Sequence, residues 1–330
     1  MMRYSRNVRR VITGRLVIAL SLGLAGALLC YLRLTALDRG AGDLSWSLRG
    51  AAELWRGHNP YHDPALGPSK PFPFNDPLFY PLPALLIATP LTPAPLPLAG
   101  AIFAGVSLGL LVWGIGRDRW RLWPLLLSAP LWSAVFTVQW SPLLTAAALL
   151  PALLPLTLAK PNVGLPLLLA APTRRSLVWS AVLVGVSIVI LPSWPGDWLH
   201  NARQHTVFVP ALVFPGMTVL LAAWRWHDPR ARLLLLTALM PQRAIYDQLG
   251  LWLTARSWRQ ALLLSIGSWI TLIGWWLGPA AVQRWIVVWM YLPAFAIVMW
   301  PTLQPLVVTV SRRIGRDRRT AAAPVLADQQ

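Results

Sequence analysis

Apolar runs alternate with short polar turns along almost the whole chain, and most turns carry arginine. The first run, Leu16 to Leu37, has the roughly 20 residues that a membrane-crossing helix needs. A polar interval from Gly42 to Pro83 follows it, the longest stretch that does not suit a bilayer. Within that interval Leu44, Leu48, Ala51 or Ala52, and Trp55 recur at helical spacing. Asp43 stands at an N-cap position and Gly57 at a C-terminal cap position. Arg49 and Glu53 form an i,i+4 pair on another face. The pattern predicts an amphipathic helix lying along the membrane surface in the first outer loop, residues 38 to 80.

The segment Tyr80 to Pro97 is dense in proline, which predicts a short or re-entrant element rather than a straight helix. Leu98 to Ile115 reads as a cleaner helix ending at Arg117, Arg119 and Arg121. Leu122 to Val138 reads as a crossing that ends at Gln139. An apolar stretch broken by Pro151, Pro155, Pro161 and Pro166 carries Lys160 and reaches Arg174 and Arg175. Leu177 to Leu191 crosses to an aromatic, polar loop holding His200 and His205, and Thr206 to Trp224 returns to the arginine-rich side. Two short runs flank Arg243, Tyr246, Asp247 and Gln248. Ala261 to Trp276, and Trp285 to about Val310, complete about ten crossings, uncertain by two. Short, broken segments need protein or a water-filled cavity around them, because unpaired backbone in lipid is costly. A cavity open toward the outer face is expected. No repeat of fixed period is evident.

Composition makes this class firm. The 330 residues are 56% hydrophobic and 12% charged, about half the charge of a soluble domain. The sequence reads as an all-α polytopic membrane protein, a single integral domain over residues 1–330. The formal net charge of +18 would suggest nucleic acid in a soluble protein; here it marks the cytoplasmic side, where arginine and lysine collect. The basic residues 1–15 and the basic tail 312–330 then share that side. The first run lacks a small-residue cleavage site and reads as a retained helix. The single cysteine, Cys30, excludes a disulfide framework and a cysteine-based metal site.

Few residues are left to carry chemistry. The chain has eleven acids and only two lysines, Lys70 and Lys160. Asp43 is either a helix cap or a carboxylate facing a cavity, able to take a proton from a substrate hydroxyl. Lys160, charged within apolar sequence, is either a snorkelling side chain or a cation for a phosphate or an acid. Arg243 and Asp247 either close a loop as a pair or serve a site with Tyr246 and Gln248. Gln139 serves either helix packing or the site. His200 and His205 are five apart, which does not place them on one helix face, and no HExxH, Walker loop or GxSxG is present.

In order, these residues resemble glycosyltransferase family 87, within the GT-C superfamily of polyprenyl-phosphate-sugar-dependent enzymes. The matching features are an acid after the first helix (Asp43), an amphipathic helix, and Gly57-His58-Asn59-Pro60-Tyr61. Tyr80-Pro81-Leu82-Pro83, Gln139, Lys160-Pro161, and Pro241 with Tyr246-Asp247 follow. They cover roughly residues 16 to 250. The family's glutamine motif is usually Gly-Gln-x-Asn, where this chain has Val138-Gln139-Trp140-Ser141. The resemblance implies a bundle of about 8–12 transmembrane helices in a bacterial inner membrane, with both termini cytoplasmic and the active site outside. It implies hexose transfer, mannose-like, from a polyprenyl-phosphate donor to a glycan or glycolipid hydroxyl, with inversion and without a metal or other cofactor. Asp43 would be the base. Lys160, Arg243 and Arg49 would meet the phosphate, with His200, Arg203 and His205 behind them. A transporter or flippase, or an inactive relative that only binds the lipid, remains an alternative; broken helices around a polar centre fit those too.

Overall fold

A computed structural model describes residues 2–62, 77–116, 118–204, 206–243, 245–278, 281–302 and 304. His205, Lys70, Asp63, Asp76, Arg117 and the basic tail 312–330 lie outside the described residues. Two long apolar helices, α1 (Met2–Ala36) and α4 (Leu96–Ile115), pack through small side chains. A Cβ on Gly23 would sit 2.8 Å from the carbonyl oxygen of Gly105, and one on Gly105 would sit 2.7 Å from the Cβ of Ala27. Small residues four apart let helix backbones touch this way. Arg15, early in α1, donates to the carbonyl of Trp113, late in α4, at 2.8 Å. The two helices are therefore antiparallel.

Helix α1 begins at Met2, not at Leu16; no proline or cap interrupts the basic segment, so the helix runs through it. Beyond the polar loop come α2 (Leu44–Trp55) and α3 (Leu82–Ala88), the latter opened by Pro81 and Pro83. Then follow α5 (Ala129–Thr137), α6 (Ser141–Leu149), α7 (Pro161–Ala170), α8 (Arg174–Ile190), α9 (Trp194–Ala202), α10 (Pro229–Leu239) and α11 (Trp258–Leu277). The last helix, α12, starts at Val282 and continues to Thr302 through a π turn at Val287–Tyr291. The described residues form helices and turns, and no named strand.

Among the described residues, three helices are long and apolar enough to cross a membrane: Thr13–Ala36, Leu96–Ile115 and Val282–Thr302. A fourth is added if α8 and α9, bent by 98°, count as one broken span. Several of the other runs read as crossings are shorter or broken segments. Leu122 to Val138 is not one helix but a 3-10 segment, Trp120–Leu127, and α5, separated where Ser128 caps α5. Thr206 to Trp224 breaks into the 3-10 turns Pro210–Leu212 and Gly216–Arg225. Pro124, Pro130, Pro210 and Pro215 sit at or beside those breaks, and each removes a backbone donor from any α-helical ladder.

The helix expected on the membrane surface, α2, is instead packed into the protein. Leu44, Trp46, Leu48 and Ala51 are buried, and so are Ser45, Ser47, Gly50 and Glu53 on other faces. Gly50 faces Leu78 and Leu85, leaving no room for a side chain. Glu53 does not use Arg49; it binds Arg56 at 2.6 Å and His58 at 2.9 Å. Gly57 ends the helix at φ +79°, as its cap position requires.

Charge is unequal at the two ends of the bundle. Arg15, in the first half of α1, meets Asp118, just past the end of α4, at 3.7 Å. Arg225 and Arg256 both bind Asp228. The opposite end, reached after about 30 Å of α1, carries Asp43.

Candidate functional site

The site is built where two left-handed turns touch. The reversal after α1 places Asp38, Gly40 and Gly42 at φ +47°, +56° and +58°. A Cβ on Gly42 would meet the carbonyl oxygen of Thr137 at 2.7 Å, so only glycine fits. The Asp43 N–H donates to that same carbonyl at 2.9 Å. Across the contact, Val138 closes α5 at φ +56°. A β-branched residue there is strained by about 1–3 kcal/mol, and such strain collects at functional sites. It turns the next residue, Gln139, toward Asp43.

Asp43 does not cap α2. Its side chain makes no cap bond; the Ser45 hydroxyl accepts from the Ala41 N–H at 3.1 Å instead. The carboxylate accepts a short hydrogen bond from the Gln139 amide and faces the Arg243 guanidinium at 4.0 Å. The other end of the Gln139 amide accepts from Lys160 Nζ at 3.2 Å. Lys160 is buried rather than snorkelling: Nζ also binds Asp247 at 2.6 Å and lies 5.0 Å from the ring centre of Tyr246. Asp247 is fully enclosed, and its second oxygen accepts from the Arg243 backbone at 3.1 Å and from Asn162 at 3.4 Å. The pairing expected between the Arg243 and Asp247 side chains is thus replaced by Lys160 with Asp247 and Arg243 with Asp43.

The result is a continuous chain, Asp43–Gln139–Lys160–Asp247, drawn from four separate parts of the sequence. It fixes the Gln139 amide, because Lys160 has only protons to donate and must face the oxygen. The amide's NH₂ then points at Asp43, which suits an ionised carboxylate. The two acids differ in access: the Asp43 side chain is 22% exposed, while that of Asp247 is 0% exposed. Burial raises the Asp43 pKa, and Arg243, Lys160 and the Gln139 hydrogen bond oppose the rise.

Beside this chain lies a cavity of about 330 Å³. Lys160, Arg243, Arg203 and Asn162 line it on the polar side, and Phe79, Pro81, Trp198, Leu199, Val207 and Met240 supply apolar wall. The family-like segment His58 to Tyr61 helps hold that wall. Asn59 and His62 bind Asp197 on α9, each at 2.9 Å, and Asn201 reaches the carbonyl of Tyr61 at 3.2 Å. Tyr61 donates to the carbonyl of Tyr80 at 3.0 Å, and Tyr80 lines the cavity. Opposite, Phe208 and Gln242 exchange two backbone hydrogen bonds, joining the strands of wall that carry Val207 and Arg243.

The structure therefore brings together Asp43, Gln139, Lys160, Arg243, Tyr246 and Asp247. It does not bring in Arg49, which stays on α2 and does not line the cavity, nor His200, which is exposed at the end of α9. Asn162 and Gly42 were missed by sequence reasoning. Their only signals were adjacency, one beside Lys160-Pro161 and the other just before Asp43. Two larger grooves, along α1 and α4 and between α8 and residues 151–155, have no acid in their walls. Comparison of the chain with protein-family models, with curated proteins and with solved structures finds no match.

Proposed function

We propose that the chain is a membrane glycosyltransferase that moves a hexose from a polyprenyl-phosphate donor to an acceptor hydroxyl, with Asp43 as the base. The observation that carries this reading is the freed Asp43 carboxylate, held by Gln139 and Arg243 beside a cavity that is apolar along its walls and cationic at its head. Such a cavity suits an amphiphile ending in a phosphate, because charge-assisted contacts to phosphate are strong and the walls can take apolar chain. Lys160, Arg203 and Arg243 would hold the phosphate, the last two more freely because Lys160 is already engaged.

In this reading the acceptor hydroxyl attacks the anomeric carbon and gives its proton to Asp43. The bond from that carbon to the phosphate oxygen breaks, and the lipid phosphate leaves with the bonding electrons. The sugar's configuration inverts. Arg243 spans both halves of the reaction, touching Asp43 on one side and the cavity on the other. The bundle would sit with its arginine-rich end at the cytoplasmic face and its acid-bearing end outside, its short helices shielded from lipid by the longer ones.

Purified protein with labelled sugars on a panel of polyprenyl phosphates tests this. Transfer by the wild type, lost in Asp43→Asn while donor binding persists, is the expected result. Full transfer by Asp43→Asn would remove the base from the scheme. Donor binding with no transfer by the wild type would favour a lipid-binding or lipid-moving protein.

A further inference from the structure

Asp247 is fully enclosed and does not line the cavity, yet it holds three residues that do. One carboxylate oxygen accepts from Lys160 Nζ at 2.6 Å. The other accepts from the Arg243 N–H at 3.1 Å and from the Asn162 side chain at 3.4 Å. Lys160, Asn162 and Arg243 all face the cavity. Lys160 in turn donates to Gln139 at 3.2 Å, and Gln139 donates to Asp43. The segment that carries Asp247 is anchored in the core: Leu249, Leu251 and Trp252, in the same 3-10 segment Ile245–Thr254, are fully buried.

A counter-ion for Lys160 needs one oxygen, and a buried ion pair can often be replaced by apolar side chains without loss of stability. Stability therefore does not account for the second oxygen, which is occupied by two groups that have no part in balancing Lys160. Groups that bind a phosphate must keep their mutual spacing, and a rigid support behind them supplies it. We infer that Asp247 is a positioning residue for the donor. It sets the spacing of Lys160, Asn162 and Arg243 and, through Lys160 and Gln139, the aim of Asp43. The inference rests on the reading of the cavity as a site for polyprenyl phosphate. Asp247 meets no reacting atom; it acts on affinity through Arg243 and Asn162, and on rate through Gln139.

The full chain in nanodiscs provides the test, with undecaprenyl phosphate for binding and, for transfer, labelled sugars on that lipid with octyl glycosides as acceptors. Lys160→Met keeps Asp247 on Arg243 and Asn162, whereas Lys160→Met/Asp247→Leu releases them. The paired variant should melt higher than Lys160→Met, because no carboxyl is left buried without its cation. It should nonetheless bind undecaprenyl phosphate about tenfold more weakly, as expected for the loss of two ordinary hydrogen bonds. If Asp247 served stability alone, affinity would follow the melting temperature. A paired variant that binds as tightly as Lys160→Met therefore overturns the inference. Asp247→Asn gives a second reading should Lys160→Met not fold: the donor KM should rise and the rate at saturating donor should fall, each by about tenfold. Leu264→Ala, a truncation of a fully buried side chain on α11, should lower the rate only in proportion to the folded fraction, with KM unchanged. That same pattern in Asp247→Asn would also overturn the inference. Wild type that binds undecaprenyl phosphate but transfers no sugar would count against the transferase reading alone, with the order of binding still deciding the role of Asp247. Wild type that does not bind the lipid would overturn both.

Discussion

The two ends of this bundle handle charge in opposite ways. At the Asp43 end, two acids and two cations are matched one to one, and a glutamine joins the pairs. At the Asp228 end, one carboxylate is shared between the Arg225 and Arg256 side chains. Matched charges can be taken out of water with their hydrogen bonds satisfied, as Lys160 and Asp247 are. Surplus charges cannot, and they stay near water. Matching therefore marks where geometry is held tightly enough for chemistry, and surplus marks where the chain meets its surroundings.

The largest expected effect tests the first half of that contrast. Asp43→Asn keeps the shape and a hydrogen-bonding group but cannot take a proton. Transfer from a polyprenyl-phosphate donor should fall by about 10²–10⁴, the usual contribution of a general base. Removing Asp228 at the other end should leave the transfer rate nearly unchanged.

A stability comparison follows in size. Asp247→Ala leaves Lys160 buried without its counter-ion, which costs about 3–5 kcal/mol. Asp228→Ala removes a helix cap and a partly exposed carboxylate, for about 1–2 kcal/mol. Thermal unfolding in one detergent measures both, and equal losses would erase the distinction between matched and surplus charge. Lys160→Met combined with Asp247→Leu should recover much of the loss, since replacing both members of a buried pair by apolar groups is often neutral.

Much of this arrangement was legible before the coordinates. Gln139, Lys160, Arg243, Tyr246 and Asp247 stand out because a polar residue in apolar sequence needs a partner, and Asp43 stands out as the acid at the start of α2. Which partner it takes did not follow. Arg243 and Asp247 are four apart and invited pairing, yet Lys160, 87 positions away, takes Asp247. That choice depends on how α7 and the 3-10 segment Ile245–Thr254 meet, and sequence spacing carries no such information. Several runs read as single crossings are broken for a related reason. Hydropathy measures how apolar a run is, whereas proline decides whether its backbone can stay one helix, as at Leu122 to Val138. The surface placement of α2 took Glu53 for an exposed partner of Arg49, whereas Glu53 is buried against Arg56 and His58, and Ser45, Ser47 and Gly50 are buried too.

A smaller effect tests the turn that holds Asp43. Gly42→Ala demands a left-handed conformation, which costs an alanine about 1–2 kcal/mol, and brings a methyl within 2.7 Å of the Thr137 carbonyl. The turn should shift and separate Asp43 from Gln139. Transfer should fall by about tenfold, since small misplacements are costly in catalysis. Gly57→Ala is the control: it is also left-handed, at φ +79°, but a Cβ there meets nothing within 4 Å. It should lower stability with little effect on rate. If both variants lose activity alike, contact between the two turns is not what positions the base.

The finest test concerns pH. Burial raises the Asp43 pKa above its ordinary value, against Arg243, Lys160 and Gln139. The folded protein therefore holds this proton more tightly than the unfolded chain. As pH rises from the ordinary carboxylate value, about 3.9, toward the folded value, the unfolded chain binds fewer protons, so stability falls through that window and then levels. Asp43→Asn lacks this loss. The stability of the variant relative to wild type should thus grow between pH 4 and neutrality, as the variant loses the base and gains a little stability together. The wild-type rate should fall on acidification at a pH above that of an ordinary carboxylate, because only the ionised form accepts a proton. A variant that instead loses stability relative to wild type over the same range would mean that the cations outweigh burial. Asp43 would then belong with Asp247 as a structural counter-ion, and the matched end of the bundle would hold two locked pairs and no base.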